Sequence, residues 1–595
     1  MKKYILMFLS SMMFVSCVDT NILPDDKTVD EDFWKTKEDV AAMVNGAYTA
    51  MTADDVIARL IVWGDYRSDE LLISTTPKGG VPDALIEMAN VNMQTTNMYA
   101  SWSAFYNVIN RCNIVLERAE AVMNEDPNYT MGDYQVDRSQ MLALRALCYF
   151  YLVRNYHDVP YITQAYMVSS QDMQVAQSTP EYVINQCIAD LEEAERTPLK
   201  SLNYTTSQWQ RVGWLTEDGI RTLLADIYLW RASVTHSAAD YQKCVDYCNL
   251  VIDSKKAQHI SSFTDAEGID YPLVNSANYY THLFGDQNAE ESIFELQSRS
   301  NIAVAQYFFK YGSNTSGEGW LKASSTLFGA AASNIISINA TSNFVFTDKD
   351  MRYYAACFAA NNSGDANLEV RKMISHITID KKERQNRASI SSTEVVDYGT
   401  NKRGLNSNYP IYRLPDVLLM KAEALVQLAD DSADDTERQK QLYEPFKLVQ
   451  SLNTRALHRE NAADTMSWNS YRNYSKDQME MLVMQERLRE FCFEGKRWYD
   501  LLRYNYRHAA NASASYNQLL ADMQDGDDTS ALPEIFDNMK MLMTRSRGGD
   551  GPGVRAKMYN EAYLYLPIPN ADIIVCPLLK QNPAYKDAVQ YEKNY

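Results

Sequence analysis

The stretch that decides the fold runs from Glu486 to Tyr504 and reads ERLREFCFEGKRWYDLLRY. Its apolar residues recur at helical spacing, and its acidic and basic residues stand one turn apart. The apolar positions are Leu488, Phe491, Trp498 and Leu502. The pattern predicts one amphipathic helix whose ion pairs lie on a solvated face. A glycine inside a helix costs stability, so Gly495 predicts the close approach of another helix or loop.

Two carboxylates in this stretch, Glu490 and Glu494, raise the question of catalysis. Hydrolysis of a glycosidic bond needs two carboxyl groups roughly 5 to 9 Å apart, on opposite sides of the bond. Helix neighbours project side by side instead, and cationic residues next to them favour the ionised carboxylate over the proton donor. These cations are Arg487, Arg489, Lys496 and Arg497. The stretch therefore predicts a structural helix without a catalytic residue.

The N-terminus has the pattern of a bacterial secretion signal. Two lysines precede the apolar run from Tyr4 to Val15, and Ser16 and Cys17 follow it. The run Phe14-Val15-Ser16-Cys17 resembles a lipobox, so we expect residues 1–16 to be removed and Cys17 to carry the lipid. Residues 17–30 are polar and acidic, as expected of a tether. No later segment has the roughly eighteen unbroken apolar residues of a membrane-spanning helix.

Composition narrows the range of ligands. The formal charge is −20 and no basic patch is visible, which argues against a nucleic-acid partner and weakly favours a neutral ligand. Eight cysteines besides Cys17 are scattered through apolar patterns and are expected to be buried. None of the seven histidines forms a metal-binding pair. The sequence therefore predicts neither a metal nor a cofactor.

The chain is organised as two helical blocks around an irregular segment. Residues 31–254 and 410–595 show helical periodicity, whereas residues 255–409 are rich in Ser, Asn, Gly and aromatic residues. Within this segment Ser292–Gln297 and His376–Ile379 are predicted to be extended. Helices of roughly fourteen to twenty residues recur about every 35 to 40 residues, which predicts tetratricopeptide-like stacking. A second irregular region, 521–554, contains DGDD, which lacks the spacing of a calcium loop and is interpreted as a solvated turn.

The opening stretch, written ER-x-x-EF-x-FEG-x-RW-x-DL-x-R, resembles the C-terminal signature of the SusD/RagB family. Its members are surface nutrient-binding lipoproteins of Bacteroidetes. Further segments resemble family elements: DFWKTKEDVAAMVNGAYTAM at 32–51, SWSAFYNVINRCNI at 101–114, RALCYFYLVRNYHDVP at 145–160, RLPDVLLMKAEALVQL at 413–428, LPIP at 566–569 and QNP at 581–583. His157 stands where the family pattern has glycine, which predicts a different turn there. The resemblance covers the chain from about residue 30 to its end.

The resemblance implies a mainly α fold of about four tetratricopeptide-like helix pairs, with a loop-rich ligand-binding subdomain. It also implies a lipid-anchored protein on the cell surface of the outer membrane. Such a protein would capture oligosaccharides or polysaccharides, or peptides in the RagB branch, for a SusC-like TonB-dependent transporter. The shared motifs are scaffold, so they do not report the ligand. A hydrolase using scattered carboxylates remains the alternative of a different class.

Ligand contacts must come from residues outside the shared motifs. A sugar offers an apolar C–H face and a rim of hydroxyls, which together favour exposed aromatic rings flanked by hydrogen-bonding groups. Trp320 lies in the polar loop GSNTSGEGWLKAS, and the segment IVWGDYRSDE combines aromatic and polar residues in the same way. The predicted ligand-binding residues are Trp320, Tyr311, Tyr307, Trp63, Tyr66, Arg67 and Tyr99. By contrast, four tryptophans on helical patterns are predicted to be core: Trp34, Trp102, Trp230 and Trp498.

Overall fold

A computed structural model of the chain describes residues 33–74, 77, 79–168, 171–205, 208–258, 270–274, 279, 281–285, 287–297, 307, 318–324, 330–332, 335–337, 346, 350, 352, 356–359, 368–370, 372, 407–456, 465–508 and 561–585. Six predictions lie outside these residues: the secretion signal at 1–16, the tether at 17–30, lipidation at Cys17, ligand contact at Tyr311, the extended run His376–Ile379 and the DGDD turn. Within the described ranges, no helix has both the length and the apolar character needed to span a bilayer.

The first half of the chain is helical. Its helices are α1 (Lys37–Met51), α2 (Asp54–Ile61), α3 (Asp83–Ala89), α4 (Ser103–Glu125), α5 (Met131–Tyr156), α6 (Pro180–Ala194), α7 (Gln210–Gly213), α8 (Glu217–Thr235) and α9 (Ala238–Gln258). The starts of α1 and α5 are fixed by capping boxes, in which Thr36 and Thr130 each exchange hydrogen bonds with the third helical residue. Helix α2 runs directly into a π-helical turn, Val62–Tyr66, which we call the π-turn.

The second half adds further helices after residue 407. They are α10 (Leu414–Leu428), α11 (Asp435–Ala456), α12 (Trp468–Tyr471), α13 (Lys476–Phe491), α14 (Arg497–Arg507) and α15 (Asn570–Val575). Short 3₁₀ turns occur at Met98–Ala100, Ser201–Asn203, Glu561–Leu564 and Pro583–Tyr585, and a second π-helical turn at Thr281–Gly285.

The helices pack as a series of pairs. Helix α1 packs on α4, α5 on α6, α8 on α9, and α10 on α11, while α4–α5, α6–α8 and α9–α10 contacts join one pair to the next. Helix α13 then closes the series against α10 and α11. The mainly α, tetratricopeptide-like architecture of about four helix pairs is confirmed. The four tryptophans predicted to be core all pack in it, with Trp34 only partly buried.

The described strands form two-stranded antiparallel ladders. The strands are β1 (Leu71–Ile73), β2 (Val159–Pro160), β3 (Gln177–Ser178), β4 (Ser292–Leu296), β5 (Leu321–Ala323), β6 (Ala330–Ala332), β7 (Ile335–Ser337), β8 (Cys357–Ala359), β9 (Leu368–Val370) and β10 (Tyr409–Arg413). The ladders are β1–β5, β2–β3, β4–β10, β6–β7 and β8–β9. Strand β4 confirms the extended conformation predicted for Ser292–Gln297. In the β1–β5 ladder, Leu71 pairs with Ala323 and Ile73 with Leu321.

The signature stretch differs from its prediction in one respect: it forms two helices, not one. Helix α13 ends at Phe491, and α14 begins at Arg497 after a turn in which Phe493 has φ +62° and Gly495 has φ +73°. We call residues 492–496 the signature loop. Few side chains tolerate a positive φ, which is one reason why residue 495 is glycine. The signature loop also lies very close to the π-turn, because a Cβ added to Gly64 would lie only 2.1 Å from the Gly495 carbonyl oxygen. The predicted close approach at Gly495 is therefore confirmed.

The charged residues of the signature are buried, so the prediction of solvated ion pairs is wrong. Glu490 is 0% exposed and binds the guanidinium groups of Arg352, Arg413 and Arg455. Burial alone would raise the pKa of this carboxyl, but the three cations outweigh it and hold the pKa of Glu490 well below its ordinary value. Burying a charged carboxylate costs free energy, and guanidinium groups from distant segments of the chain offset that cost. The carboxylate is ionised and unsuited to act as a proton donor, as predicted.

A second buried cluster holds α10, α13 and α14 together. Glu423 accepts hydrogen bonds from Arg503 and Arg507, and Arg487 lies 3.9 Å away. Burial opposes the charge, but the surrounding guanidinium groups lower the pKa of Glu423 strongly. These pairs connect three helices through charge-assisted hydrogen bonds, so the signature arginines act as cross-links inside the core.

His157 ends α5 with φ +68°. The replacement of the family glycine therefore does not move the backbone out of the positive-φ range that glycine favours. The imidazole Nδ1 lies 2.8 Å from Asp158 Oδ1, and the ring packs edge-on against Tyr565. These two contacts compensate for the strained backbone.

Candidate functional site

Trp63 lies inside the protein, not on a binding surface. Its side chain is 0% exposed and stacks on Phe105 with ring centroids 5.1 Å apart. Its indole N–H donates to the carbonyl oxygen of Tyr99 at 2.8 Å. A ligand outside the protein cannot reach a ring that is covered on both faces and hydrogen-bonded at its edge. The prediction that Trp63 contacts ligand is therefore corrected to a supporting role.

Three predicted tyrosines from distant parts of the sequence meet in one cluster. The Tyr66 hydroxyl donates to the Tyr307 carbonyl at 2.8 Å, and the Tyr307 hydroxyl donates to the Tyr99 hydroxyl at 2.9 Å. Tyr307 packs edge-on against both other rings at 6.0 Å between centroids. All three are buried, with exposures of 0% for Tyr66 and 6% for Tyr99 and Tyr307. The sequence placed Tyr307 in the Trp320 segment and Tyr66 in the Trp63 segment, and only the structure joins them with Tyr99 in one cluster. Burial makes the three an internal tyrosine cluster instead of a stacking platform.

Arg67 is also buried, which contradicts its predicted place on a hydrogen-bonding rim. Its guanidinium donates to the carbonyl oxygens of Trp63 and Leu564, each at 3.2 Å, and to the side-chain oxygen of Asn155. It also lies 4.4 Å from the centroid of the Trp498 ring. Burial lowers the pKa of Arg67 to about 10. Arg67 therefore joins the π-turn to α5, α14 and the C-terminal segment.

Trp320 is the predicted contact that keeps an exposed part. It is half-buried directly before β5 and after Gly319, whose φ is +60°; its ring packs against the hydrophobic core, and its indole Nε1 is buried. Its carbonyl oxygen accepts from the backbone N–H of Ser74 at 2.9 Å. The residues around it that are also half-buried are Leu72, Ile73, Glu318 and Lys322. We call these five residues the Trp320 face. It includes an indole, two aliphatic side chains, an amine and a carboxylate. Leu72 and Lys322 are paired across the ladder and lie on the same side, whereas Ile73 points to the opposite side.

The two predicted candidate segments are brought together by the β1–β5 ladder. Strand β1 follows the π-turn closely in sequence and contacts it in space, and β5 follows Trp320 directly. The ladder is flanked by two backbone hydrogen bonds, from Ser324 N to the Glu70 carbonyl at 2.8 Å and from Ser74 N to the Trp320 carbonyl. No local pattern in the sequence signals a pairing between segments about 250 residues apart. The arrangement brings the chain segment that follows the buried aromatic residues alongside the half-buried Trp320.

An open groove of about 680 Å³, which no sequence pattern predicted, lies between α1, α2 and α4. Its floor consists of small residues, and its polar lining includes Asn45, Thr49, Asn107 and Arg111. The Arg111 Nε donates to Asn107 at 2.9 Å, which orients the guanidinium. Small residues on helix surfaces are common, so the sequence pattern gave no reason to select these positions.

One group of side chains has the composition of a metal site. Asp477, Glu480 and His508 bring one ligand atom each within 4.8 Å of the others. The Glu480 carboxylate already binds Arg507 through one oxygen and His508 through the other. A metal ion would have to displace both partners, so the arrangement serves the ion pair better than it serves a metal.

The fold and the Trp320 face define the class of protein: a tetratricopeptide-like helical scaffold that carries a small strand-and-loop surface with an aromatic residue. A model of the SusD family matches residues 273–585. A second model, described as starch-binding and associating with the outer membrane, matches residues 22–208. The first match alone spans more than half of the chain, and the chain belongs to the SusD family.

Individual relatives agree with this assignment. SusD-like protein P38 from Formosa agariphila is 25% identical over 500 residues, which cover 81% of this chain and 86% of the relative. Among solved structures, B. fragilis NanU has a TM-score of 0.59 at 18% identity, with 95% of this chain and 100% of that chain covered. A putative sugar binding protein from Bacteroides vulgatus has a TM-score of 0.57 at 19% identity, covering 93% and 99%. At these identities the structures show a common fold.

Proposed function

We propose that this chain is a non-catalytic lipoprotein of the cell surface. It captures oligosaccharides or polysaccharides and delivers them to a partner SusC-like TonB-dependent transporter in the outer membrane. The observation that carries the proposal is the match of both halves of the chain to SusD-type models, one of them described as starch-binding and associating with the outer membrane. A structural relative described as a putative sugar binding protein supports the same ligand class.

The Trp320 face has the chemistry that a neutral sugar requires. An indole can stack on the C–H face of a pyranose ring, while Glu318 and Lys322 can accept and donate hydrogen bonds at the hydroxyl rim. Hydroxyl groups of a sugar both donate and accept, so a rim that carries one group of each kind suits them. Tyr311 remains a proposed ligand contact.

The charges of the signature favour binding over hydrolysis. A glycosidase needs one carboxylic acid that keeps its proton near neutral pH. Glu490 and Glu494 are buried, share Arg413 and have lowered pKa values, since burial is outweighed by the neighbouring cations. Neither carboxyl contacts the Trp320 face in the described contacts. The carboxylates that first suggest catalysis therefore serve the scaffold.

We propose Cys17 as the site of the lipid anchor. Replacement of Cys17 by alanine is expected to release the protein from the outer membrane, because lipidation needs the thiol. Fractionation of cells into membrane and soluble material measures the effect. A Cys17→Ala protein that stays in the membrane fraction to the same extent would exclude this anchor.

Binding to a panel of glycans tests the main proposal. Trp320→Ala is expected to weaken binding by about 1 to 3 kcal/mol, as loss of one stacking anchor should. Such a loss corresponds to roughly 5- to 150-fold in Kd. Trp209→Ala is a matched control, because Trp209 is 42% exposed and lies on the loop before α7, outside the β1–β5 ladder. Isothermal titration measures both variants.

Three results would refute parts of the proposal. Equal affinity of wild type and Trp320→Ala would remove the Trp320 face from the site. Binding of peptides in preference to every glycan would place the chain in the peptide-binding branch. Release of shortened sugars by the pure protein would show a hydrolase.

A further inference from the structure

Asp65 and Glu70 are two buried carboxyls that face each other under the Trp320 face. Both are 0% exposed. Asp65 Oδ1 accepts from the Gly495 N–H at 2.9 Å, and Glu70 Oε2 accepts from the Phe493 N–H at 3.1 Å. The second oxygen of each carboxyl, Asp65 Oδ2 and Glu70 Oε1, has no hydrogen-bond donor among the described residues. In each carboxyl, one oxygen therefore accepts a hydrogen bond from the signature loop, and the other accepts none from the described residues.

The two carboxyls interact electrostatically, and each keeps one oxygen without a donor among the described residues. Carboxylate oxygens are acceptors only, so a hydrogen bond between these two carboxyls requires one proton between them. Among the described residues, the two cations that act on the pair have closer partners of their own. Arg497 is engaged with Asp69, and Lys372 donates to the Glu490 and Cys492 carbonyls and binds Glu494. The charged and titratable groups that face the pair are Asp69, Lys372, Tyr409, Cys492, Glu494, Arg497 and Tyr499.

We propose that Asp65 and Glu70 share one proton and act as positioning residues, fastening the strand beneath the Trp320 face to the signature loop. The importance of that face for ligand binding rests on the proposed function; the shared proton does not. In this proposal, the signature loop has a defined role, which is to hold the two carboxyls through its backbone N–H groups.

Short chain segments connect the pair to the Trp320 face. Asp65 lies in the π-turn next to Tyr66, whose hydroxyl holds Tyr307. The carbonyl oxygen of Glu70 accepts from Ser324 N, the first residue after β5. Loss of the pair would therefore loosen the tyrosine cluster at one end and the β1–β5 ladder at the other. Trp320 lies on the strand that this ladder positions.

A proton fits this place better than a metal ion. Calcium takes six to eight oxygen ligands, and the described surroundings offer two carboxylate oxygens and the unpartnered hydroxyl of Tyr409. The other two carboxylate oxygens already accept backbone N–H groups, which would repel a cation nearby. A shared proton needs only the two oxygens that face each other.

The shared proton predicts how stability changes with pH. Burial is the largest cause that raises the pKa of both carboxyls well above their ordinary values, and a neighbouring carboxylate adds to the effect, Glu494 at Asp65 and Asp65 at Glu70. Between the unfolded range, about pH 4, and the raised folded value, the folded protein holds a proton that the unfolded chain has released. Stability from the pair is complete below this window. The folding equilibrium constant then falls up to about tenfold per pH unit as pH rises through it.

Amide variants separate the proton from the hydrogen bond. In Glu70→Gln the amide can donate to Asp65 without titrating, so the variant keeps the contact and loses its pH dependence. Glu120→Gln on α4 removes the same charge at an exposed position and serves as the control. Urea unfolding of the full chain between pH 5 and 9 is expected to give similar slopes for wild type and control. The folding equilibrium constant of wild type divided by that of Glu70→Gln should fall by up to about tenfold for each unit by which the pH rises.

Parallel pH profiles for wild type and Glu70→Gln would overturn the shared proton. A chelator that lowers the Tm of wild type but not of Glu70→Gln would also overturn it, since a metal would then bridge the carboxyls. Hydrogen exchange tests the positioning role. Peptides that contain residues 70–74 and 318–324 should exchange faster in Glu70→Ala and at the wild-type rate in Glu70→Gln, measured at one pH below the window. Equal exchange in wild type and Glu70→Ala would refute positioning, whether or not a glycan binds.

Discussion

Replacement of Gly495 by alanine should destabilise the protein strongly, for two reasons that can be separated. The backbone at Gly495 has φ +73°, a conformation that costs a residue with a Cβ about 1–2 kcal/mol. A Cβ there would also lie 2.2 Å from the Tyr409 hydroxyl and 3.0 Å from the Leu60 carbonyl oxygen. Overpacking of this kind typically costs about 1–3 kcal/mol. Together the two effects predict a loss of about 2–5 kcal/mol in the free energy of unfolding.

The Tyr409 hydroxyl provides the means of separation, because it is buried without a hydrogen-bond partner among the described residues. Tyr409→Phe alone should leave stability equal to or above wild type, since it removes an unsatisfied polar group. In the double variant Gly495→Ala/Tyr409→Phe the closest contact disappears, so the loss should shrink toward the φ strain of about 1–2 kcal/mol. Urea denaturation followed by tryptophan fluorescence and circular dichroism measures all three variants.

Gly132→Ala is the matched control for this series. Gly132 lies in the first turn of α5, and the atom nearest to its added Cβ is 3.7 Å away. This variant should gain roughly 0.4–1 kcal/mol, because alanine restricts the unfolded chain at an unstrained position. The reasoning fails if Gly495→Ala is as stable as wild type. It also fails in its second part if Tyr409→Phe does not recover any of the loss.

Two further substitutions test the buried charges. Glu423→Gln leaves Arg503 and Arg507 without their shared carboxylate and should cost about 3–5 kcal/mol at pH 7 in urea denaturation. Because the folded pKa of Glu423 is lowered, its contribution to the free energy of unfolding is present above the unfolded pKa of about 4.3 and is lost as pH falls below it. A stability difference between Glu423→Gln and wild type that persists unchanged in strong acid would contradict this. Lys255→Met removes a buried amine whose pKa burial lowers to about 7 and which donates to the Ser292 carbonyl. In this pH range the unfolded chain holds a proton that the folded state has given up, so the free energy of unfolding of the wild type falls as pH drops from about 10 to 7. The free energy of unfolding of Lys255→Met should therefore rise relative to wild type by about 1.4 kcal/mol for each pH unit of that drop. Equal pH slopes for the two proteins would exclude this effect.

The role of the signature stretch follows from its position in the core. The glutamates and arginines of α13 and α14 are cross-links between helices. The signature loop between these helices donates one backbone N–H to Asp65 of the π-turn and another to Glu70, just before β1. Substitution of these residues should therefore act on stability first. Effects on ligand binding should follow only through the Trp320 face.

The sequence by itself determined the helices and the family. Helical periodicity and capping residues are local properties, so the start of α1 at Thr36 and the apolar faces of α4 and α5 could be predicted from neighbours in the chain. The close approach at Gly495 was also predictable, because a glycine in a helical pattern needs a reason.

Only the tertiary structure decided which residues are buried and which segments meet. Charged side chains are normally exposed, and Glu490 is buried because Arg352, Arg413 and Arg455 reach it from segments 35 to 138 residues away in sequence. Trp63 and Arg67 looked like a binding surface for the same reason, since the residues that cover them lie elsewhere in the chain. The pairing of β1 with β5 joins segments about 250 residues apart and places Trp320 beside the strand that follows the π-turn. Local spacing carries no record of such contacts, because they depend on how complete helices pack after they have formed.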